Sequence, residues 1–179
     1  QGGVGEHVQG EQGGGGGELE PGKGRQLLQV CVQVAMLHLD AADRGVVNVL
    51  VRIGRDIQLR ALPQAHALVH GHCHQKAFGA MSAVSEILAL IPGLAVDVVE
   101  SSCCGMAGSF GYDASHYDVS MRMAELSLLP ALRAASADTI IVADGTSCRH
   151  QIADGTRQSG ARRPLHVARV LARALATGA

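Results

Sequence analysis

The sequence predicts an α/β fold, a small, mainly parallel sheet with helices packed on its faces, preceded by a disordered, glycine-rich N-terminus. Three observations carry that reading. Short apolar or β-branched runs recur at Ala67–Val69, Leu94–Val99 and Thr139–Ala143. Between them apolar residues repeat at helical spacing, and strands that alternate with helices need crossover connections, which make neighbouring strands parallel. The first 24 residues, by contrast, hold 11 glycines and almost nothing to bury, so they offer too little apolar surface to offset the entropy of ordering.

Two regions follow from this contrast. Residues 1–54 read as a low-complexity or poorly structured extension. Leu28, Val30, Val32 and Val34 alternate as a strand would, but without turn chemistry around them, and no aromatic residue occurs before Phe78. Such a composition fits either a natural flexible extension or a segment read in a shifted frame. Residues 55–179 form the folding domain.

Within that domain, Ala67-Leu68-Val69 is a strand closed by Gly71, and Ala77, Met81, Val84, Leu88 and Ile91 predict a helix behind it, broken by Pro92-Gly93. Leu94–Val99 is the second strand, and Cys103–Gly111 a glycine-punctuated loop. Ser115-His-Tyr-Asp118 has the form of a capping box, opening a helix whose apolar face is Tyr117, Met121, Ala124 and Leu128 and which Pro130 kinks or ends. Thr139–Ala143 is the third strand, with a helix starting beside Ser147. Val167, Val170, Leu171, Ala174 and Leu175 complete a last amphipathic helix, stopped near Gly178.

A formal net charge of -1 provides no electrostatic footprint for nucleic acid or an anionic membrane. No apolar run approaches the roughly 18 residues of a spanning helix, and the N-terminus lacks the layout of a signal peptide. The expectation is a cytoplasmic chain without a transmembrane segment, peripheral to a membrane only through partners. Five cysteines in such a chain favour metal or redox chemistry over a disulfide framework, and the adjacent pair Cys103-Cys104 could bond to itself only with strain.

Cys73 follows the first strand, Cys103 and Cys104 the second, and Cys148 the third. In an open parallel sheet the carboxyl ends of the strands lie on one side, where ligands bind, so these four thiols can converge. Thiolates are soft ligands that suit iron–sulfur clusters, zinc or copper(I). The pattern C-x29-C-C-x43-C is neither a paired zinc ribbon nor a ferredoxin run, and neighbouring thiolates reach different irons of a cluster more readily than one zinc ion. Two other classes stay open: a noncatalytic, zinc-stabilised interaction domain, and a thiol–disulfide oxidoreductase using Cys103 or Cys104. Cys31 lies outside any motif.

His70-Gly-His-Cys-His-Gln-Lys-Ala77, Ser102-Cys-Cys-Gly-Met-Ala-Gly-Ser-Phe-Gly-Tyr112 and Val142-Ala-Asp-Gly-Thr-Ser-Cys-Arg-His-Gln151 together resemble the cysteine-rich, or CCG, domain of iron–sulfur oxidoreductases. The resemblance covers residues 55–179. It points in particular to the C-terminal part of FAD-linked oxidases related to D-lactate and 2-hydroxyglutarate dehydrogenases and glycolate oxidase. More distant are the iron–sulfur subunits of glycolate oxidase and anaerobic glycerol-3-phosphate dehydrogenase, and a heterodisulfide reductase subunit.

The resemblance implies an iron–sulfur cluster, of the 4Fe-4S kind, on Cys73, Cys103, Cys104 and Cys148. It also implies FAD in a partner domain or subunit, a further iron–sulfur domain, and an electron-transfer part of an oxidoreductase that is not active alone. Gly105, with Gly108 and Gly111, would bring backbone N–H groups to sulfur. His72 and His74, beside Cys73, would act from behind the ligands, donating to thiolate sulfur and easing reduction, while Lys76 and Arg149 would counter negative charge. The sequence departs from many relatives in two ways. Their Cys-x-x-Cys ending is here Cys148-Arg-His-Gln151, and their second CCG repeat and ferredoxin-like sequences do not occur in these 179 residues, which look like a fragment.

Overall fold

The computed structural model describes residues 59–101 and 103–175. Strands β1 (His66–His70), β2 (Ala95–Val98) and β3 (Ile140–Ala143) form a three-stranded sheet in the order β2-β1-β3, and both pairings are parallel. The helices are α1 (Cys73–Ala77), α2 (Met81–Leu88), α3 (Tyr117–Glu125), α4 (Leu128–Ala134), α5 (Thr146–Gly155) and α6 (Val167–Ala174), with single 3-10 turns at Phe110–Tyr112 and Ala114–His116. This is the α/β class with a small parallel sheet that the strand and helix periods predict. The expectations for the N-terminal extension, for Cys31 and for a stop near Gly178 fall outside the described residues.

Alternation along the strands builds two apolar layers. Ile140 and Val142 of β3 join Ala67 and Val69 of β1 in a core against α2 and α6, through Val84, Ile87, Leu88, Val170 and Leu171. Ile141 and Ala143 point the other way, into a second core with Ala124, Leu128, Leu129, Leu132 and Ile152 of α3, α4 and α5. A strand buried on both faces reads as an unbroken apolar run, which is why Ile-Ile-Val-Ala stands out in the sequence. Leu128, Leu129 and Leu132 are each fully buried, and each such side chain contributes about 1.5–3 kcal/mol of transfer free energy.

Local chemistry moves some element boundaries. The period from Ala77 to Ile91 predicts one helix, but α1 has already ended at Ala77, and Gly79 at φ +63° turns the chain before α2 begins at Met81. Ser115 does not cap α3. The Asp113 carboxylate takes both its backbone N–H (2.8 Å) and its hydroxyl (2.6 Å), holding Ser115 in the 3-10 turn ahead of the helix. Tyr117 leaves the apolar face as well: it is exposed, and its hydroxyl donates to Asp154 of α5 at 2.9 Å. Pro130 does not kink α3, which has stopped at Glu125; it sits in the first turn of α4, where the backbone N–H it lacks would have no helical partner.

No helix among the described residues is long and apolar enough to cross a membrane.

Candidate metal centre

The register aligns the strand ends: Val69 pairs with Val98, and His70 with Ala143. Every expected thiol lies a few residues beyond such an end. Cys73 opens α1 after β1, Cys103 and Cys104 begin the loop after β2, and Cys148 stands in the first turn of α5 after β3. All four are free thiols, so Cys103 and Cys104 are not joined to each other.

The thiols meet in two linked groups. Cys104 and Cys148 are buried in the second core, and their sulfurs lie with a ring nitrogen of His70 in a set of atoms all within 4.8 Å of one another. Cys73 and Cys103 are half-buried and hydrogen-bonded to each other. The charges of Cys103 and Cys104 bear on Cys73, and those of Cys73 and Cys103 on Cys148, so the groups share one electrostatic site.

Sharing a proton separates the two buried thiols. A hydrogen bond from Cys148, with burial opposing and His70 and the Met106 backbone assisting, holds Cys104 down at about 4. The same bond, followed by burial, pushes Cys148 well up. Cys104 is therefore a thiolate at neutral pH and Cys148 its donor. Burial and then Cys103 raise the Cys73 thiol, while the positive charge of Lys76 opposes the rise.

Backbone geometry fits the cysteine loop tightly. Gly105 has φ +94°, a conformation that side chains resist. A Cβ there would stand 2.1 Å from the carbonyl oxygen of Ser120, and its N–H donates to the sulfur of Cys103 at 3.3 Å. Gly145, which precedes α5, leaves room for the ring of His72 and the sulfur of Cys148; an added Cβ would meet them at 2.3 and 3.0 Å.

The three histidines around Cys73 divide their work. His72 is the N-cap of α1: its ring accepts from the His74 N–H at 3.3 Å, and its own N–H donates to the side chain of Gln75 at 3.0 Å. His74 is exposed, its ring edge-on to that of His72. His70, which sequence reasoning does not separate from its neighbours, is the one that meets sulfur. It is 1% exposed, its Nδ1 is 2.9 Å from the Ser101 hydroxyl, and its Nε2 has no hydrogen-bonding nitrogen or oxygen partner among the described residues. A polar residue ending the apolar run Ala-Leu-Val is the signal that could have found it.

Charged and polar residues brace the rim. Lys76 donates from Nζ to the carbonyl and the hydroxyl of Ser101. Arg149 holds the carbonyls of Ala143 and Asp144 at 3.2 and 2.7 Å, fixing the turn into α5. Tyr112 meets Nδ1 of His150 at 2.6 Å, and burial, then the Cys104 and Cys148 charges, raise its hydroxyl.

This donor set fits a soft metal centre. The buried thiols of Cys104 and Cys148 and a sulfur-facing imidazole lie together at the mouth of a parallel sheet, with the half-buried Cys73 and Cys103 coupled to them by charge, and such soft donors suit a metal.

No family model and no solved structure matches the chain. Among curated proteins it is 32% identical over 139 residues to the C subunit of anaerobic glycerol-3-phosphate dehydrogenase from Escherichia coli K12, and equally to that from Escherichia coli O157:H7. The alignment covers 78% of this chain and 33% of each relative, so the chain spans about a third of the length of the curated relatives it matches. Over those 139 residues the chain is a homologue of one third of that anaerobic glycerol-3-phosphate dehydrogenase polypeptide.

Proposed function

We propose that residues 55–179 are the CCG-type iron–sulfur domain of a flavin-linked oxidoreductase, with Cys73, Cys103, Cys104 and Cys148 as the ligands of a cluster of the 4Fe-4S kind. The observation that carries the reading is that these free thiols all follow the carboxyl ends of three parallel strands, with Cys104 and Cys148 in one donor group and Cys73 and Cys103 coupled to it by charge. Homology to part of a dehydrogenase supports a place in redox chemistry. When bound, such a cluster supplies a one-electron carrier between a flavin and a further acceptor.

The chain's own residues set the conditions for that carrier. The second core keeps water from Cys104 and Cys148. The Gly105 N–H donates to Cys103 sulfur and Lys76 opposes negative charge at Cys73, and both favour an added electron. His72 and His74 hold the turn that aims Cys73. Substrate oxidation, of a 2-hydroxyacid of the D-lactate, glycolate or 2-hydroxyglutarate type, belongs to an FAD-bearing partner domain or subunit in this reading. A further iron–sulfur domain receives the electrons, and any membrane association is peripheral and made through partners.

Anaerobic purification with iron, sulfide and zinc analysis and a visible spectrum tests the proposal. Brown protein with iron and acid-labile sulfide in similar amounts is expected. Colourless protein with zinc and no sulfide would replace it with the zinc-stabilised interaction domain.

A further inference from the structure

We propose that His70 is itself a metal ligand, through Nε2, so that the centre enclosed by Cys104 and Cys148 has a mixed imidazole–thiolate donor set. This rests on reading the thiols as metal ligands, and adds a ligand that the four cysteines do not account for.

The first support is position. Strand alternation sends Ala67 and Val69 into one core and leaves Leu68 and His70 on the opposite face, which β3 shares through Ile141 and Ala143. His70 pairs with Ala143 across the ladder, at the strand end beyond which Cys148 follows. The imidazole therefore enters the thiol site from a rigid strand, whereas His72 and His74 belong to the start of α1.

The second support is a nitrogen that meets only sulfur. His70 is 1% exposed and its Nε2 has no nitrogen or oxygen partner among the described residues, while the ring is hydrogen-bonded to Cys104. A ring nitrogen of His70 and the sulfurs of Cys104 and Cys148 lie within 4.8 Å of one another, and a metal with bonds of about 2.0–2.3 Å would draw such donors somewhat closer together.

The third support is orientation from behind. A ligating histidine ordinarily gives its other N–H to an oxygen that fixes the ring and its tautomer. Nδ1 of His70 has such an oxygen in Ser101 Oγ at 2.9 Å, and Lys76 Nζ, which can only donate, holds that same hydroxyl at 3.3 Å. A neutral imidazole also adds no negative charge to the centre where a further thiolate would, which keeps its reduction potential higher.

The test uses the full chain, loaded anaerobically with iron and sulfide, beside His70→Cys and His70→Ala, each checked for folding by circular dichroism. Pulsed electron paramagnetic resonance of the reduced protein, with and without 15N-labelled histidine, reads the bound nitrogen. We expect a strong histidine nitrogen coupling in the parent. His70→Cys should keep its iron, lose the coupling and have a lower potential, and His70→Ala should bind metal at least tenfold more weakly.

A parent with full iron and no histidine coupling, or an unchanged coupling in His70→Cys, overturns the proposal. If the chain takes up zinc but no iron and sulfide, the iron–sulfur reading fails while His70 is still decided: X-ray absorption at the zinc edge supports the ligand if nitrogen accompanies sulfur, and overturns it if all scatterers are sulfur. A folded chain that binds neither metal overturns both.

Discussion

Gln75 donates from Nε2 to Oδ2 of Asp144 at 2.6 Å, across 69 residues of sequence, and so ties the helix that Cys73 opens to the strand end that leads to Cys148. Both residues are buried. Oδ1 of the same carboxylate accepts from the Val167 N–H at 2.9 Å and faces His166, the N-cap of α6. Asp144 is thus a joint between three helices, and its replacement leaves buried donors without an acceptor. Asp144→Ala should destabilise the chain by about 2–4 kcal/mol and lower metal retention as Cys73 and Cys148 lose their common anchor. Urea unfolding and metal content check the two effects, and stability within about 0.5 kcal/mol of the parent would show that the joint is dispensable.

Gly105 and Gly108 separate two causes of glycine dependence. Gly108 has φ +69° with open space around its Cβ position, whereas Gly105 has φ +94° and the Ser120 carbonyl 2.1 Å from that position. Gly108→Ala should cost about 1–2 kcal/mol for conformation alone. Gly105→Ala must also displace backbone and disturb the N–H donated to Cys103, so at least about 3 kcal/mol and a loss of bound metal are expected. Equal costs in denaturant titrations would show that the loop relaxes freely.

That the thiols lie on one side of the sheet was legible because it depends only on strand order and direction: a cysteine just past each of three parallel strands must come to the same side. The roles of the histidines were not. Which of His70, His72 and His74 turns inward depends on where β1 stops, and the period of two assigns His70 to the thiol face only once Leu68 is known to share it. His72 is drawn off by local capping with Gln75. Ser115 misled for a related reason, since its neighbour Asp113 is the stronger acceptor and captures it first. The role of Asp144 left no signal in the sequence, because partners 69 and 23 residues distant leave no local pattern.

Arg162 closes the C-terminal end of α4. Its guanidinium donates to the carbonyls of Leu132 at 3.2 Å, Ser136 at 2.8 Å and Ala137 at 3.2 Å, and to that of Ala135. A planar fork reaches several carbonyls at once, as an ammonium cannot. Arg162→Lys should therefore destabilise the chain by about 1–2 kcal/mol, nearly as much as Arg162→Ala, with no change in metal content. Full stability in the lysine variant would refute the fork.

The shared proton of Cys104 and Cys148 predicts how the metal-free, reduced chain responds to pH. Cys104, held at about 4, is depressed, so its contribution is complete above the unfolded value near 9 and is lost as pH falls toward 4. Cys148 is raised, so its contribution is complete below about 9 and lost above. Between about pH 5 and 8 the folded pair carries one proton and the unfolded pair two. Stability should then rise with pH by up to about 1.4 kcal/mol per unit, the linkage value for one proton. Cys104→Ser should flatten that slope in urea titrations across the window. An equal slope in variant and parent would place the proton elsewhere.

The strongest constraint on the ligand set comes from comparing the cysteines with one another. Cys104 and Cys148 are buried, Cys73 and Cys103 half-buried, so serine at the first two sites also costs core packing while serine at the other two costs little. Stability should follow that division, with Cys104→Ser and Cys148→Ser lower than the parent by about 1–3 kcal/mol and Cys73→Ser and Cys103→Ser nearly unchanged. Metal content should not follow it. A cluster lacking any one thiolate is labile, so all four variants should lose most of their iron after anaerobic reconstitution, whereas Cys31→Ser, outside the three motifs, should retain it. A structural role predicts the opposite correlation, with iron falling only where stability falls. Full iron in Cys73→Ser or Cys103→Ser would remove that residue from the ligand set, and loss of iron in Cys31→Ser would add a fifth thiol to it.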